Sequence, residues 1–236
     1  MRGSAAKIST MHSPRPAPGT PPARRLTPVR TCAALAVLSA VLLVLVAVSW
    51  SPLMSLDRTV ANGLHDWAVD EPGLVRLNRL LTDWVWDPWT MRALLAVAVV
   101  WLLVRREWLL ATWVAVTSAV GTFVQQGLKA AVGRERPQWP DPVDSAHYAA
   151  FPSGHSMTAT VSLILLLWLL GRHLAEGRWW RWGLAAAVVS VVGVGFTRLF
   201  LGVHWLSDVV GGTLIGACWA AVSIIAYERV VLNRKR

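Results

Sequence analysis

The sequence predicts an all-α protein, a bundle of six helices that crosses a membrane. The first observation is composition: 55% of the 236 residues are hydrophobic and 15% are charged, against about 25% charged residues in an ordinary soluble domain. The second is that the hydrophobic residues stand in long runs, and a helix needs about 20 mostly apolar residues to cross a bilayer. The third is that basic residues cluster between these runs, as they do on the cytoplasmic side of membrane proteins.

Six runs approach the length of a membrane span. The predicted spans are residues 32–50, 89–104, 108–130, 156–170, 182–200 and 207–227. Gln125 and Gln126 interrupt the third span and the fourth is short, so both are expected to pack against protein rather than lipid. The first run exceeds the hydrophobic region of a signal peptide and lacks a clear A-x-A cleavage site, which favours an uncleaved anchor.

Loop charges predict the topology. The basic regions are residues 1–30, 105–106, 172–181 and 229–236. The positive-inside rule places all four in the cytoplasm, and with them both termini. Residues 51–88 hold six acids against three arginines and are expected outside, as are the loops 131–155 and 201–206. Tryptophans at predicted helix ends indicate an interfacial aromatic belt. They are Trp50, Trp86, Trp89, Trp108, Trp179, Trp180, Trp182 and Trp205.

The chain therefore divides into three predicted parts. Residues 1–30, with six prolines, read as a disordered basic cytoplasmic tail that either touches anionic headgroups or fixes topology alone. Residues 31–230 form the six-helix transmembrane domain, and residues 231–236 a basic cytoplasmic C-terminus. The net charge of +10 is spread over separate clusters, which argues against a nucleic-acid partner. In the first outer loop, helical spacing of apolar residues predicts a short amphipathic helix at the interface; they are Leu56, Val60, Leu64 and Trp67.

Three clusters of chemically active residues fall on the predicted outer face. Lys129 precedes Arg136-Pro137 by seven positions, residues 151–155 read Phe-Pro-Ser-Gly-His, and Thr197-Arg198 is followed by His204 and Asp208. Charges at a membrane boundary are costly and suggest function. Lys129, Arg136 and Arg198 supply cations for a phosphate dianion. Ser153-Gly154 stands where a helix N-terminus with free N–H groups can bind an anion.

His204 and Asp208 are four residues apart and share one face if the last helix begins near them. Asp208 could then hold one ring nitrogen of His204 and leave the other free to attack, as in other nucleophile, base and orienting-group sets. His155 remains as a general acid for the leaving group. The alternatives are a snorkelling interfacial Arg198 and structural histidines.

These clusters resemble the three signature motifs of the type 2 phosphatidic acid phosphatase (PAP2) superfamily, K-x6-RP, PSGH and SR-x5-H-x3-D. They occur in that order, and the resemblance covers about residues 32–230. Thr197 stands where the family usually has serine, and Leu206 where many members have proline. The resemblance implies a PAP2/haloperoxidase-like helical core and an integral-membrane lipid phosphatase.

The resemblance also implies roles for the individual residues. Lys129, Arg136 and Arg198 would bind phosphate with Ser153 and the Gly154 backbone. His204 would form a phosphohistidine intermediate, Asp208 would orient it, and His155 would donate the proton. No metal or other cofactor would be needed. The partners would be a lipid phosphate and the surrounding membrane lipids, and the sequence carries no signal for oligomeric state.

The lipid itself stays open among phosphatidic acid, undecaprenyl diphosphate and phosphatidylglycerol phosphate, and an outward-facing site favours the carrier-lipid diphosphate. Rival interpretations are a catalytically silent lipid-phosphate binder or scaffold, a transporter, and a vanadate-dependent peroxidase. The complete set of His204, Asp208 and His155 argues against the first. The charges at one face rather than the midplane argue against the second, and the membrane setting argues against the third.

Other conspicuous residues are interpreted as structural. His65 and His147 have no motif around them, and Asp141 and Asp144 are expected to be solvated in a loop. Gly212 and Gly216 form a small-xxx-small pair that favours close helix packing. Cys32 and Cys218 lie within hydrophobic runs, which disfavours a disulfide scaffold.

Overall fold

A computed structural model describes residues 23–173 and 177–234. Within them the chain forms eight α-helices, with a short π-helical segment, Leu81–Val85, between the third and fourth. The helices are α1 (Ala23–Ala47), α2 (Ser51–Asp70), α3 (Pro72–Leu80), α4 (Pro88–Val104), α5 (Trp108–Val132), α6 (Gly154–His173), α7 (Arg178–Phe200) and α8 (Leu206–Arg234). Residues 1–22 of the predicted tail lie outside the described residues, whereas its last residues, from Ala23, already belong to α1.

The prediction of a six-helix membrane bundle is confirmed. In the described part of the chain, six helical stretches are long and apolar enough to cross a membrane. Each overlaps one of the six predicted runs, although the second begins at Pro72, well before the predicted start at residue 89. Helix α6 occupies the centre and packs against α4, α5, α7 and α8, while α1 lies along α8. Side chains of α1 such as Val37 and Val41 are more than half exposed, as expected of a surface whose solvent is lipid.

Two glycines set the distance between α6 and α8. A β-carbon added at Gly212 would lie 2.6 Å from the carbonyl oxygen of Ser153, and one added at Gly216 would lie 2.9 Å from that of Met157. Both distances are shorter than any ordinary contact, so these positions require glycine for close backbone approach. The predicted packing role of this pair is confirmed, and it brings the first turns of α6 and α8 together.

The predicted helix of the first outer loop is α2, but its buried face differs from the predicted apolar stripe. Leu56 and Trp67 of that stripe are about half exposed, at 50% and 47%. The buried line is one position further on and comprises Asp57, Ala61, His65 and Ala68. This face packs against α7 and α8. Polar residues can lie inward here because Asp57 finds partners on other elements, described below.

Candidate active site

The three predicted clusters meet at one end of the bundle. Because consecutive spanning helices run in opposite directions, the C-terminal ends of α5 and α7 lie beside the N-terminal ends of α6 and α8. Lys129 comes from the last turn of α5 and Arg198 from the last turn of α7. Asp208 lies in the first turn of α8. The loop between α5 and α6 contributes Arg136, and the turn before α8 contributes His204.

His204 is fixed from both sides of its ring. It is 1% exposed; its Nδ1 lies 3.4 Å from Oδ2 of Asp208, and its Nε2 lies 3.1 Å from Nη1 of Arg136. A guanidinium can only donate, so Nε2 accepts and the ring proton of neutral His204 is on Nδ1, facing Asp208. Burial, followed by the charges of Arg136, Arg198 and Lys129, holds the pKa of His204 well below its ordinary value. The ring is therefore neutral, with its Nε2 lone pair towards the cations.

Asp208 has several partners besides His204. Its Oδ2 accepts the backbone N–H of Trp205 at 2.9 Å, and its Oδ1 accepts from Nη1 of Arg134 at 2.6 Å. Its backbone carbonyl accepts the N–H of Ser153 at 3.0 Å. The second and third motifs are therefore joined directly by a main-chain hydrogen bond.

Lys129 and Arg136 donate to carbonyl groups of three consecutive loop residues. Nε of Arg136 donates to the carbonyl of Tyr148 at 2.9 Å and Nη2 to that of His147 at 3.1 Å. Nζ of Lys129 donates to the carbonyl of Ala149. Nη1 of Arg136 also donates to the carbonyl of Val203 at 2.5 Å. Arg136 thus contacts His204 directly, and both cations donate to neutral carbonyl oxygens.

Arg198 retains an unused donor. Its side chain is buried, and Nη1 donates to Oγ1 of Thr82 at 3.1 Å. Within the described residues its Nε is buried without a hydrogen-bond partner. A buried donor without an acceptor costs about 1–3 kcal/mol, so an anion that reached this position would find a favourable contact.

The first turn of α6 faces the same point. Ser153 is fully buried, and its Oγ accepts from Oγ of Ser156 at 3.2 Å. At Gly154 an added β-carbon would lie 2.8 Å from Nε2 of Gln125, so the backbone here packs closely against the Gln125 side chain of α5. His155 is close enough to interact electrostatically with Arg198, His204, Arg136 and Lys129. The structure therefore brings together all eight residues predicted for the site.

Two residues at the site were not predicted. Arg134 lies at an unspecified position of the first motif, K-x6-RP, and Asp57 is one of the six acids of residues 51–88. The signal available for Asp57 was a second helical spacing, since Asp57, Ala61 and Ala68 fall on one face of α2. Arg134 could have been found as an additional cation between two motif cations, although its partners are distant in sequence.

Among the residues interpreted as structural, His65, Asp141 and Asp144 have side-chain contacts. His65 stacks on Trp139 with ring centroids 3.9 Å apart, and its Nε2 lies 3.4 Å from Oδ1 of Asp141. Asp144 lies 3.9 Å from Nε of Arg79. Cys32 and Cys218 are free thiols in the described part of the chain.

The protein is a helical membrane bundle. Its candidate site combines a buried histidine–aspartate pair with a group of cations, and such a site is suited to an anionic group. The sequence model of the PAP2 superfamily matches residues 110–231. The chain belongs to this superfamily and is a phosphatase of the PAP2 type.

Curated relatives are lipid phosphatases by name. The chain is 32% identical over 163 residues to decaprenylphosphoryl-5-phosphoribose phosphatase of Mycobacterium tuberculosis, a match that covers 65% of this chain and 81% of the relative. It is 36% identical over 90 residues to phosphatidylglycerophosphatase B of Bacillus subtilis, covering 38% of this chain and 44% of the relative.

A solved structure shares the fold. The crystal structure of a transmembrane PAP2-type phosphatidylglycerolphosphate phosphatase from Bacillus subtilis aligns with a TM-score of 0.75 at 22% identity. The alignment covers 84% of this chain and 96% of the solved chain. The predicted PAP2-like helical membrane fold is confirmed by this likeness.

Proposed function

We propose that the protein hydrolyses a lipid phosphomonoester or diphosphate through a phosphohistidine formed on His204, without a metal ion. The observation that carries the proposal is the position of His204 between Asp208 and Arg136. Asp208 accepts a hydrogen bond from the Nδ1 N–H, and the opposite nitrogen is directed into the group of cations. This is the arrangement of an oriented nucleophile beside an anion site.

Substrate binding would exchange neutral partners for charged ones. The phosphate oxygens would take the N–H groups of Lys129 and Arg136 that now contact loop carbonyls, and the unused Nε of Arg198. Ser153 and the Gly154 N–H at the start of α6 would complete the shell. A phosphate dianion adds charge–charge attraction to hydrogen bonds that these cations already make to neutral oxygens, so the exchange favours the bound phosphate.

Two displacements at phosphorus then complete the reaction. In the first, Nε2 of His204 forms a bond to phosphorus, the bond to the leaving oxygen breaks, and His155 gives that oxygen a proton. The phosphorylated imidazolium keeps its Nδ1 proton, and the negative Asp208 stabilises it. In the second, His155 takes a proton from water, the water oxygen bonds to phosphorus, and the phosphorus–nitrogen bond breaks. Phosphate leaves and His204 is again neutral.

The substrate class that we propose is a polyprenyl carrier-lipid phosphate or diphosphate, such as undecaprenyl diphosphate. A site among the helix ends meets amphiphiles that diffuse laterally in the membrane, which excludes most soluble esters. The Mycobacterium tuberculosis relative is named for a decaprenylphosphoryl compound, which supports a polyprenyl lipid. Phosphatidic acid and phosphatidylglycerol phosphate are the competing substrates in the assay below.

The first test is a panel of these three lipids, presented to the purified protein in one detergent with EDTA. We expect phosphate release with the polyprenyl diphosphate as the preferred substrate, and we expect His204→Ala to lower the rate at least about 1,000-fold because the nucleophile is removed. Activity that needs added divalent metal, or that survives His204→Ala, would contradict the mechanism. Binding of all three lipids without turnover would favour a silent lipid-phosphate binder.

We also propose that the site faces the outside and that both described ends of the chain are cytoplasmic, since basic residues flank the opposite helix ends. The check is labelling by a membrane-impermeant maleimide in intact cells. Ser145→Cys, an exposed position in the loop between α5 and α6, should react. Arg105→Cys, exposed at the other end of the bundle, should react only after permeabilisation. The reverse pattern would invert the topology.

A further inference from the structure

A chain of buried charged groups continues beyond Asp208 to helix α2. Arg134 lies between two carboxylates, with Nη1 2.6 Å from Oδ1 of Asp208 and Nη2 2.7 Å from Oδ2 of Asp57. The side chains of Asp57, Arg134 and Asp208 are 1%, 11% and 0% exposed. Both contacts have the length of charge-assisted hydrogen bonds.

Asp57 is also bound to the first turn of α8. Its Oδ1 accepts the backbone N–H of Ser207 at 2.8 Å, and its Oδ2 accepts the hydroxyl of Ser207 at 2.5 Å. The first N–H groups of a helix have no intrahelical acceptor, so α2 supplies a cap for the helix that carries Asp208. Nη1 of Arg134 donates to the same hydroxyl at 2.7 Å, which closes the network around Ser207.

We propose that Arg134 and Asp57 are positioning residues that act on His204 through Asp208, an inference that rests on the proposed function of His204. Arg134 occupies Oδ1 of Asp208, so the carboxylate cannot rotate and Oδ2 stays directed at Nδ1 of His204. Asp57 balances the charge of Arg134. Two carboxylates and one guanidinium leave a net negative charge next to the imidazole, and this charge stabilises the imidazolium that forms during phosphoryl transfer.

Stability alone gives a weak reason for such a network. Burying ion pairs costs desolvation, and well-packed apolar side chains are often as stable. Orientation is a stronger reason, because a group that holds a catalytic partner must itself be fixed in direction. The network does this from three elements: the loop after α5, the start of α8, and α2. Asp57 lies outside residues 110–231 that match the superfamily, so a segment outside the matched region completes the arrangement.

The experiment measures kcat and KM with undecaprenyl diphosphate, the proposed substrate, in detergent micelles for a series of variants. Arg134→Gln should lower kcat about 50-fold with KM within about threefold of wild type, a loss like that found when partners that orient metal-binding residues are removed. Arg134→Lys keeps the positive charge but loses the two guanidinium nitrogens that contact both carboxylates. Its kcat should therefore lie between those of Arg134→Gln and wild type. Asp57→Asn, which leaves Arg134 without its balancing charge, should lower kcat about tenfold.

The matched control is Asp66→Asn, the same change at an exposed position of α2, which should behave as wild type. If Arg134→Gln fails to fold because Asp57 and Asp208 then face each other, the double variant Asp57→Asn/Arg134→Gln removes the repulsion and should fold with low kcat. Wild-type kcat in both Asp57→Asn and the double variant would overturn the proposal. A rise in KM with unchanged kcat would also overturn it.

A second measurement separates this proposal from the proposed function. The resonance of the His204 Nδ1 proton can be followed by NMR with 15N-labelled histidine in the absence of substrate. It is assigned as the signal that disappears in His204→Gln. It should shift in Asp57→Asn and in the double variant but not in Asp66→Asn. An inactive wild-type protein that shows these shifts would refute the phosphatase mechanism and support the positioning network. An active protein whose Nδ1 proton signal is the same in every variant would support the phosphatase mechanism and refute the positioning network.

Discussion

The two halves of the site differ in what holds their side chains. His204 belongs to a chain of buried groups, Asp208, Arg134 and Asp57, whose partners are charged side chains. Lys129 and Arg136 instead contact backbone carbonyls of residues 147–149. This loop is open to solvent: Tyr148 is 86% exposed.

The difference separates a fixed part of the site from an exchangeable one. Charged partners in a buried environment are hard to replace, so the half that contains the proposed nucleophile His204 is oriented in the absence of substrate. Neutral carbonyl groups accept hydrogen bonds from these cations. A phosphate dianion binds the same N–H donors more strongly and can therefore replace the carbonyl groups. The orientation of the proposed nucleophile is therefore built into the fold, whereas the proposed phosphate shell would form by exchange of hydrogen-bond acceptors.

The largest effect should come from Asp208→Asn, which keeps the shape of the fixed half and removes its charge. We expect kcat to fall about 1,000-fold with little change in KM, because the amide can reverse the tautomer of His204 and does not stabilise the imidazolium. Steady-state kinetics with the preferred lipid of the panel provide the measurement.

Lys129→Met is the counterpart in the exchangeable half and tests whether the two halves differ. It removes a phosphate contact and leaves His204 and Asp208 in place, so its loss should appear chiefly as a raised KM. If Asp208→Asn and Lys129→Met change kcat and KM in the same proportion, the division of the site is wrong.

A smaller effect is expected at Tyr148, which has φ of 69°. A non-glycine residue in the left-handed region costs about 1 kcal/mol or more, and Tyr148→Gly removes this strain while the carbonyls still contact Arg136. The carbonyl-bound state becomes more stable, so KM should rise by up to about fivefold, equivalent to about 1 kcal/mol. Inhibition by inorganic phosphate should weaken in parallel.

Tyr148→Ala is the matched control, since it removes the ring but keeps the β-carbon and therefore the strain. Its KM should stay close to the wild-type value. Equal KM values for the glycine and alanine variants would show that the loop conformation does not compete with phosphate.

Much of the fold and of the site followed from local patterns. The six spans were visible as apolar runs, and the eight site residues were visible as three clusters whose helices had to end on one face. Helical periodicity and alternating direction are enough to bring Lys129, Ser153 and His204 together. The close approach at Gly212 was likewise visible as a small-residue spacing.

The anchoring of Asp208 could not be predicted in the same way. Asp57 and Asp208 are separated by most of the chain, and their link through Arg134 depends on how α2 lies across the bundle. An acid in an outer loop is normally solvated, so the sequence alone favoured that interpretation of Asp57. The apolar stripe of α2 was likewise visible, but its spacing does not show which face meets the protein.

Gly212 and Gly216 have a consequence for the geometry of the candidate site. Each lacks the methyl group that would push α8 away from α6, and α8 carries Asp208 while α6 begins at Gly154. The distance between Asp208 and the start of α6 is thus set by two small residues that lie one to two turns further along α8. A larger residue at Gly216 would therefore change the geometry of the candidate site without itself belonging to that site.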